Sequence, residues 1–354
     1  MSNYHEEQNR KNILRLRELT KELPPFLGEF FRNRADYTST RTRLGYAYDF
    51  RIFFNFLVNE TRDFSARSMD DFSIEDFGKI NVDHIEEFME YLSYYTTSRE
   101  GKSGEYHVQN ELTGKSRKLS AIRSLFTYYY KKGKISANPA ELVATPPTKE
   151  KAKVYLDVNE IANLLDEADS GENLTKRQQA YHAITRCRDV ALLSLFVGTG
   201  IRISEAVGLN IDDINIENGS FRVVRKGGDE AVLYFGEEVE EALRAYLAFR
   251  EELMAKPGHE RALFLSLQNR RITDRAVQNL VKKYSGLANS LKKITPHKLR
   301  TSFGTNMYRQ TGDIYLVADL LGHKDVNTTR KSYADTKQEA GRRAVRDLKL
   351  RRED

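Results

Sequence analysis

The sequence predicts a mainly α-helical protein with a small β-sheet, built as two domains. Three observations predict it. Apolar residues recur three or four apart through much of the first half, prolines and charges cluster between residues 138 and 153, and one strand-turn-strand pattern lies at 220–235. At 354 residues the chain is long for one core and sufficient for two.

In the first half, Leu44, Tyr48, Ile52, Phe53 and Phe56 share one helical face, as do Ile85, Phe88, Met89 and Leu92. Asp83 followed by Glu86 has the spacing of a capping box for the second helix. The polar, glycine-containing stretch 97–114 reads as a loop, and Leu119, Ile122, Phe126 and Tyr129 then give a third helix. No strand-like alternation of any length interrupts this half, so an all-helical domain over residues 1–137 is expected. The run NPAELVATPPTKEKAK (138–153) follows, and its three prolines disfavour continued packing. It reads as an extended linker.

The second domain is expected over 154–354. Asp157 and Glu160 form another capping box ahead of Ile161, Leu164 and Leu165, and 190–197 is strongly apolar at helical length. Residues 220–225 and 231–235 read as two strands around a turn holding Lys226, Gly227, Gly228 and Asp229.

Composition narrows the function. With 40% hydrophobic residues, the chain has no apolar run of membrane-spanning length and no leader pattern, so a cytoplasmic location is expected. The lone Cys187 and the lack of paired Cys/His spacings predict neither disulfide nor metal site. A net charge of +6 suits a polyanion, and basic runs occur at Lys115, Arg117, Lys118 and Arg123 and at Arg342, Arg343, Arg346, Arg351 and Arg352. Either run by itself reads equally well as a solvated helix face.

Four segments stand out: GTGIRISEA (198–206), RKGGD (225–229), TPHKLRTSFGT (295–305) and LLGHKDVNTTRKSYA (320–334). Cleaving a phosphodiester without a metal needs a nucleophile, charge stabilisation on the non-bridging oxygens and a proton for the leaving oxygen. Tyr333, with Arg202, Lys226, His297, Arg300 and His323, can supply all three. A guanidinium donates two parallel hydrogen bonds to a phosphate and stays charged at any working pH. Each residue also has an ordinary explanation. Arg202 could simply pair with Glu205, Lys226 could occupy an exposed turn, His297 could be a surface residue, His323 could cap a helix, and Tyr333 is one of 19 tyrosines.

In order and spacing, these segments resemble the tyrosine recombinase, or phage integrase, family, over the whole second domain. The resemblance implies a catalytic domain preceded by a helical, SAM-like core-binding domain, the two clamping double-stranded DNA. It implies that Tyr333 becomes covalently joined to a DNA 3′-phosphate, that Arg202 and Arg300 hold the scissile phosphate, and that Lys226 protonates the leaving 5′-oxygen. His297 and His323 complete the site, with His323 hydrogen-bonding the phosphate. The phosphotyrosyl link conserves the bond energy, so no nucleotide cofactor is needed, and the chain has no GxxxxGK[ST] loop. A homotetramer acting on two sites is also implied.

Two positions depart from the family's frequent pattern: Thr301 after Arg300 and Asp335 after Tyr333 stand where histidines are common. Neither is a core catalytic position. The N-terminal extension, RKGG and TPHKLR are similar to the Xer branch, especially the single-recombinase XerS type, with a role in chromosome dimer resolution. The alternatives are a mobile-element integrase, a non-catalytic DNA-binding regulator, a type IB topoisomerase and, more distantly, an RNA-binding or scaffolding protein. Ala340, Ala344, Val345 and Leu348 give the C-terminal segment helical spacing, for a surface helix or for docking on a neighbouring protomer.

Overall fold

The structure, a computed structural model, describes residues 4–98, 104–147, 153–225, 228–288 and 291–322. The chain forms two compact units that divide between Lys151 and Ala152.

The first unit contains α1 (Tyr4–Thr20), α2 (Leu27–Asn33), α3 (Thr40–Glu60), α4 (Ile74–Phe77), α5 (Val82–Tyr91), the strands β1 (Tyr95–Ser98) and β2 (Glu105–Val108), and α6 (Leu112–Lys131). The apolar stripe of α3 buries Phe50, Phe53, Phe54 and Leu57. Phe53 meets Phe88 of α5 edge-on at 5.0 Å between ring centroids, and Phe77 of α4 stacks on Phe126 of α6 at 4.2 Å. Interlocked rings therefore join helices distant in sequence.

Three expectations are corrected in this unit. The N-cap of α5 is Asn81, whose side chain accepts from the His84 backbone while His84 Nδ1 accepts from the Asn81 backbone. Asp83 instead lies in the first turn, where its charge complements the helix dipole. The expected loop contains the antiparallel hairpin β1–β2, with Tyr95 opposite Val108 and Thr97 opposite Tyr106, and α6 starts before its end. β-Branched and aromatic residues on both strands suit this pairing, but each strand is too short for its alternation to stand out. The connector also begins later than expected, because Pro139, Ala140 and Val143 are buried in the helical core and 139–141 form a 3-10 turn. Arg123 fixes that segment by donating to the carbonyls of Ala140 and Val143 and to the Thr145 hydroxyl.

The basic run at the start of α6 has partners of its own. Arg117 forms a two-pronged bond to the buried Asp49 carboxylate at 2.5 and 2.7 Å, and Lys118 donates to Asn110. Burial raises the Asp49 carboxyl above its ordinary range, against the lowering pull of the Arg117 charge.

The second unit contains α7 (Val158–Ser170), α8 (Lys176–Thr199), α9 (Ile203–Gly208), β3 (Ile214–Asn215), β4 (Ser220–Val224), β5 (Glu230–Tyr234), α10 (Glu237–Glu251), α11 (Asp274–Leu287), α12 (Pro296–Thr311) and α13 (Ile314–Leu321). Asp157 and Glu160 cap α7 reciprocally, with each side chain bonded to the other's backbone N–H at 2.9 Å. Helix α8 starts well before its apolar run and packs against α7, α10 and α12. Strands β4 and β5 pair as expected, with Phe221 opposite Leu233, and the short β3 adds an unanticipated third strand in the order β3-β4-β5. The tail at 336–354 lies outside the described residues.

Candidate active site

The site is assembled where α8, α12 and α13 end or begin close together. Helix α8 stops at Gly200, which takes a left-handed conformation with φ of 62°. A Cβ there would stand 2.5 Å from Phe303, so both backbone and space require glycine. This turn delivers Arg202 to the N-cap of α9. Its backbone N–H donates to Glu205 Oε2 at 2.9 Å and its Nη1 to Glu205 Oε1 at 2.7 Å. Glu205 is buried, so a protected carboxylate fixes the arginine from behind and leaves the guanidinium partly exposed.

Helix α12 begins at Pro296, after an N-cap in which Thr295 accepts from the Lys298 backbone. His297 and Arg300 thus lie three apart near its start and on one face. Arg300 is buried, and its two terminal nitrogens donate to the carbonyls of Gly200 and Leu321. One guanidinium therefore joins the ends of α8 and α13. Arg202 Nη2 reaches the neighbouring Gly322 carbonyl at 3.4 Å. These carbonyls lie at the negative end of α13, which favours nearby cations.

His297 is exposed, yet its pKa lies below the ordinary imidazole value. The main cause is partial desolvation, and the charges of Arg300 and Arg202 add to it. A neutral imidazole beside two guanidiniums can accept a proton, while the arginines hold an anion. Among the described residues, no cluster of His, Cys, Asp and Glu could hold a metal ion.

Residues 155–340 match the profile of the phage integrase family. A tyrosine recombinase XerC from Caldanaerobacter subterraneus subsp. tengcongensis is 33% identical over 319 residues, which cover 87% of this chain and 82% of that protein. The chain belongs to the phage integrase family. It is a site-specific DNA recombinase of the tyrosine type. Its fold is similar to that of XerH recombinase in a post-cleavage complex with its difH substrate, with 22% identity, a TM-score of 0.64, and coverage of 90% of this chain and 83% of XerH. It is also similar to lambda integrase in a tetramer on a Holliday junction, with 15% identity, a TM-score of 0.61, and coverage of 93% of this chain and 79% of that one.

Of the residues predicted for the recombinase site, the structure brings Arg202, His297 and Arg300 together. Lys226, His323 and Tyr333 lie outside the described residues, although their flanks Arg225 and Gly322 are described. The sequence reading did not single out Arg225, whose guanidinium packs on Gly322. A signal was available, because alternation along β4 places Arg225 on the same side as the buried Phe221 and Val223.

Proposed function

We propose that this recombinase cuts and rejoins duplex DNA through a covalent 3′-phosphotyrosyl intermediate, as one of four identical subunits acting on two sites. The convergence of Arg202, Arg300 and His297 at the C-terminal end of α13 carries this reading, because it builds a fixed cationic cradle for one phosphate. In the reaction, Tyr333 Oη attacks phosphorus and the bond to the 5′-oxygen breaks. His297, neutral at pH 7, takes the phenolic proton, and Lys226 gives a proton to the departing 5′-oxygen. Arg202 and Arg300 neutralise charge on the non-bridging oxygens, and His323 adds a hydrogen bond. Attack by a 5′-hydroxyl from the partner site reverses these steps and completes strand exchange. DNA in the structures of XerH and lambda integrase, and the tetramer in the latter, support the partner and assembly assigned here.

The biological role we assign is Xer-type resolution of chromosome dimers in the cytoplasm, supported by the XerC relative. Among the described residues, no helix is long and apolar enough to cross a membrane. The test is covalent trapping of sheared DNA from the source organism by the wild type and by Tyr333→Phe, followed by sequencing of the captured fragments. Capture of one chromosomal site by the wild type alone is the expected result. Capture of element ends instead would make the protein a mobile-element integrase. Binding without capture by either form would leave a DNA-binding regulator.

A further inference from the structure

We propose that Arg225 is a third phosphate-holding arginine of this site, donating to the same phosphodiester as Arg202 and Arg300. The inference deepens the recombinase reading and rests on it.

Arg225 follows the last residue of β4, and its backbone is pinned on both sides. Its N–H donates to the Asp229 carbonyl at 2.7 Å, and its own carbonyl accepts from Gly228 at 3.1 Å. Alternation then sends its side chain inward, with Phe221 and Val223, while Arg222 faces solvent. At that inward position an apolar residue would be expected, and a guanidinium requires a reason.

The guanidinium lies directly against Gly322, the left-handed C-cap of α13. A Cβ on Gly322 would fall 2.0 Å from Arg225 Nη1 and 2.1 Å from Cζ, so this glycine is needed both for its φ of 59° and to admit the arginine. The Gly322 carbonyl is the one that Arg202 Nη2 reaches, and the preceding carbonyl, of Leu321, accepts from Arg300. Three guanidiniums thus converge on one helix end.

The three differ in what satisfies them. Arg202 has Glu205, and Arg300 has two carbonyls. Arg225 Nε is buried and has no hydrogen-bond partner. Arg225 as a whole is half-buried, and a permanently charged group with an enclosed N–H that lacks an acceptor is stabilised when an anion comes to lie against it. A phosphate held by Arg202 and Arg300 at this helix end would bring that anion beside the Arg225 guanidinium.

The test uses the full-length protein and a duplex spanning the DNA site that the wild type captures covalently. The scissile phosphate is either native or replaced by an uncharged methylphosphonate. Cleavage rates are compared for wild type, Arg225→Met and Arg225→Lys, with a melting curve for each. We expect Arg225→Met to be slower than wild type by about 100-fold on the native phosphate and nearly equal to it on methylphosphonate, where there is no charge to neutralise. Arg225→Lys should fall between the two on the native phosphate and show the same selective recovery, so it carries the comparison if the methionine variant melts early.

Equal slowing on both substrates would mean that Arg225 only packs against Gly322, and the assignment would fall while the recombinase reading stands. No covalent adduct from the wild type on any DNA would remove the reading itself, and the role of Arg225 with it.

Discussion

The two units fill their interiors in different ways. In the first, ring packs on ring: Phe26, Phe54, Phe77, Phe126 and Tyr129 form one continuous cluster. In the second, arginines reach inward to bind backbone carbonyls. Arg250 donates to Ala262, Leu253 and Glu260, Arg271 to Val207 and Leu209, and Arg300 to Gly200 and Leu321. Arg123 does this in the first unit too, but at its edge, holding the exit segment. Aromatic burial yields stability from shape and area. Arginine–carbonyl links fix parts of the backbone relative to one another, and one such link, at Arg300, belongs to the proposed phosphate site.

The strongest way to break this contrast is in the aromatic core. Phe77 is fully buried among Phe26, Phe54, Phe126 and Tyr129, so Phe77→Ala should destabilise the protein by about 3–5 kcal/mol. Urea denaturation followed by tyrosine fluorescence would show it, and a loss below about 1 kcal/mol would mean that the cluster repacks freely. The next effect concerns function. On the proposed function, Arg300→Met should slow DNA cleavage by about 100- to 1000-fold, because it would remove a preorganised charge from the phosphate as well as the tie between α8 and α13. Arg250→Met sharpens the comparison: the same kind of link is lost away from the cationic cradle, leaving three carbonyls without a donor. A stability loss of about 1–3 kcal/mol is expected, with the cleavage rate of the folded protein unchanged. Equal loss of cleavage in both variants would show that Arg300 acts only as scaffold.

The same contrast explains what could be read from the sequence. The helices α3, α5, α6 and α7 declared themselves through apolar spacing, and Asp157 through its local capping partner, because both signals lie within a turn or two of chain. The cap of α5 was misplaced by two residues, since Asn81 uses a histidine ring in place of the usual carboxylate or amide at the third position. The cations of α6 looked like a nucleic-acid stripe or a solvated face, yet Arg117 binds Asp49 from 68 residues away. Arg300 and Arg202 were singled out because their segments resemble the family's in order and spacing. Their dependence on the carbonyls of Leu321 and Gly322 was invisible, because a carbonyl is present at every position and only the fold selects which ones are used. Arg225 went unnoticed for a related reason: what marks it is an unpartnered atom, and partnership is a property of the three-dimensional arrangement.

The smallest predicted effect links the site to pH. Because the folded protein holds the His297 pKa below its unfolded value, the unfolded chain takes up the proton first as pH falls. The folded state therefore carries no penalty from His297 above about pH 6.5 and loses stability as pH drops from there towards the lowered folded value, below which the loss levels off. His297→Gln cannot take up that proton, so its melting temperature should fall less than that of the wild type between pH 7 and pH 5. The exposure of His297 keeps the difference small, so it must be read as a difference between the two proteins at each pH. In the cleavage assay the same lowered pKa keeps the imidazole neutral, and able to accept a proton, to a lower pH than an ordinary histidine. The wild-type rate should therefore begin to decline at a lower pH than an unperturbed imidazole would set, and a decline centred around pH 6.5 would show that the His297 pKa is not depressed once DNA is bound.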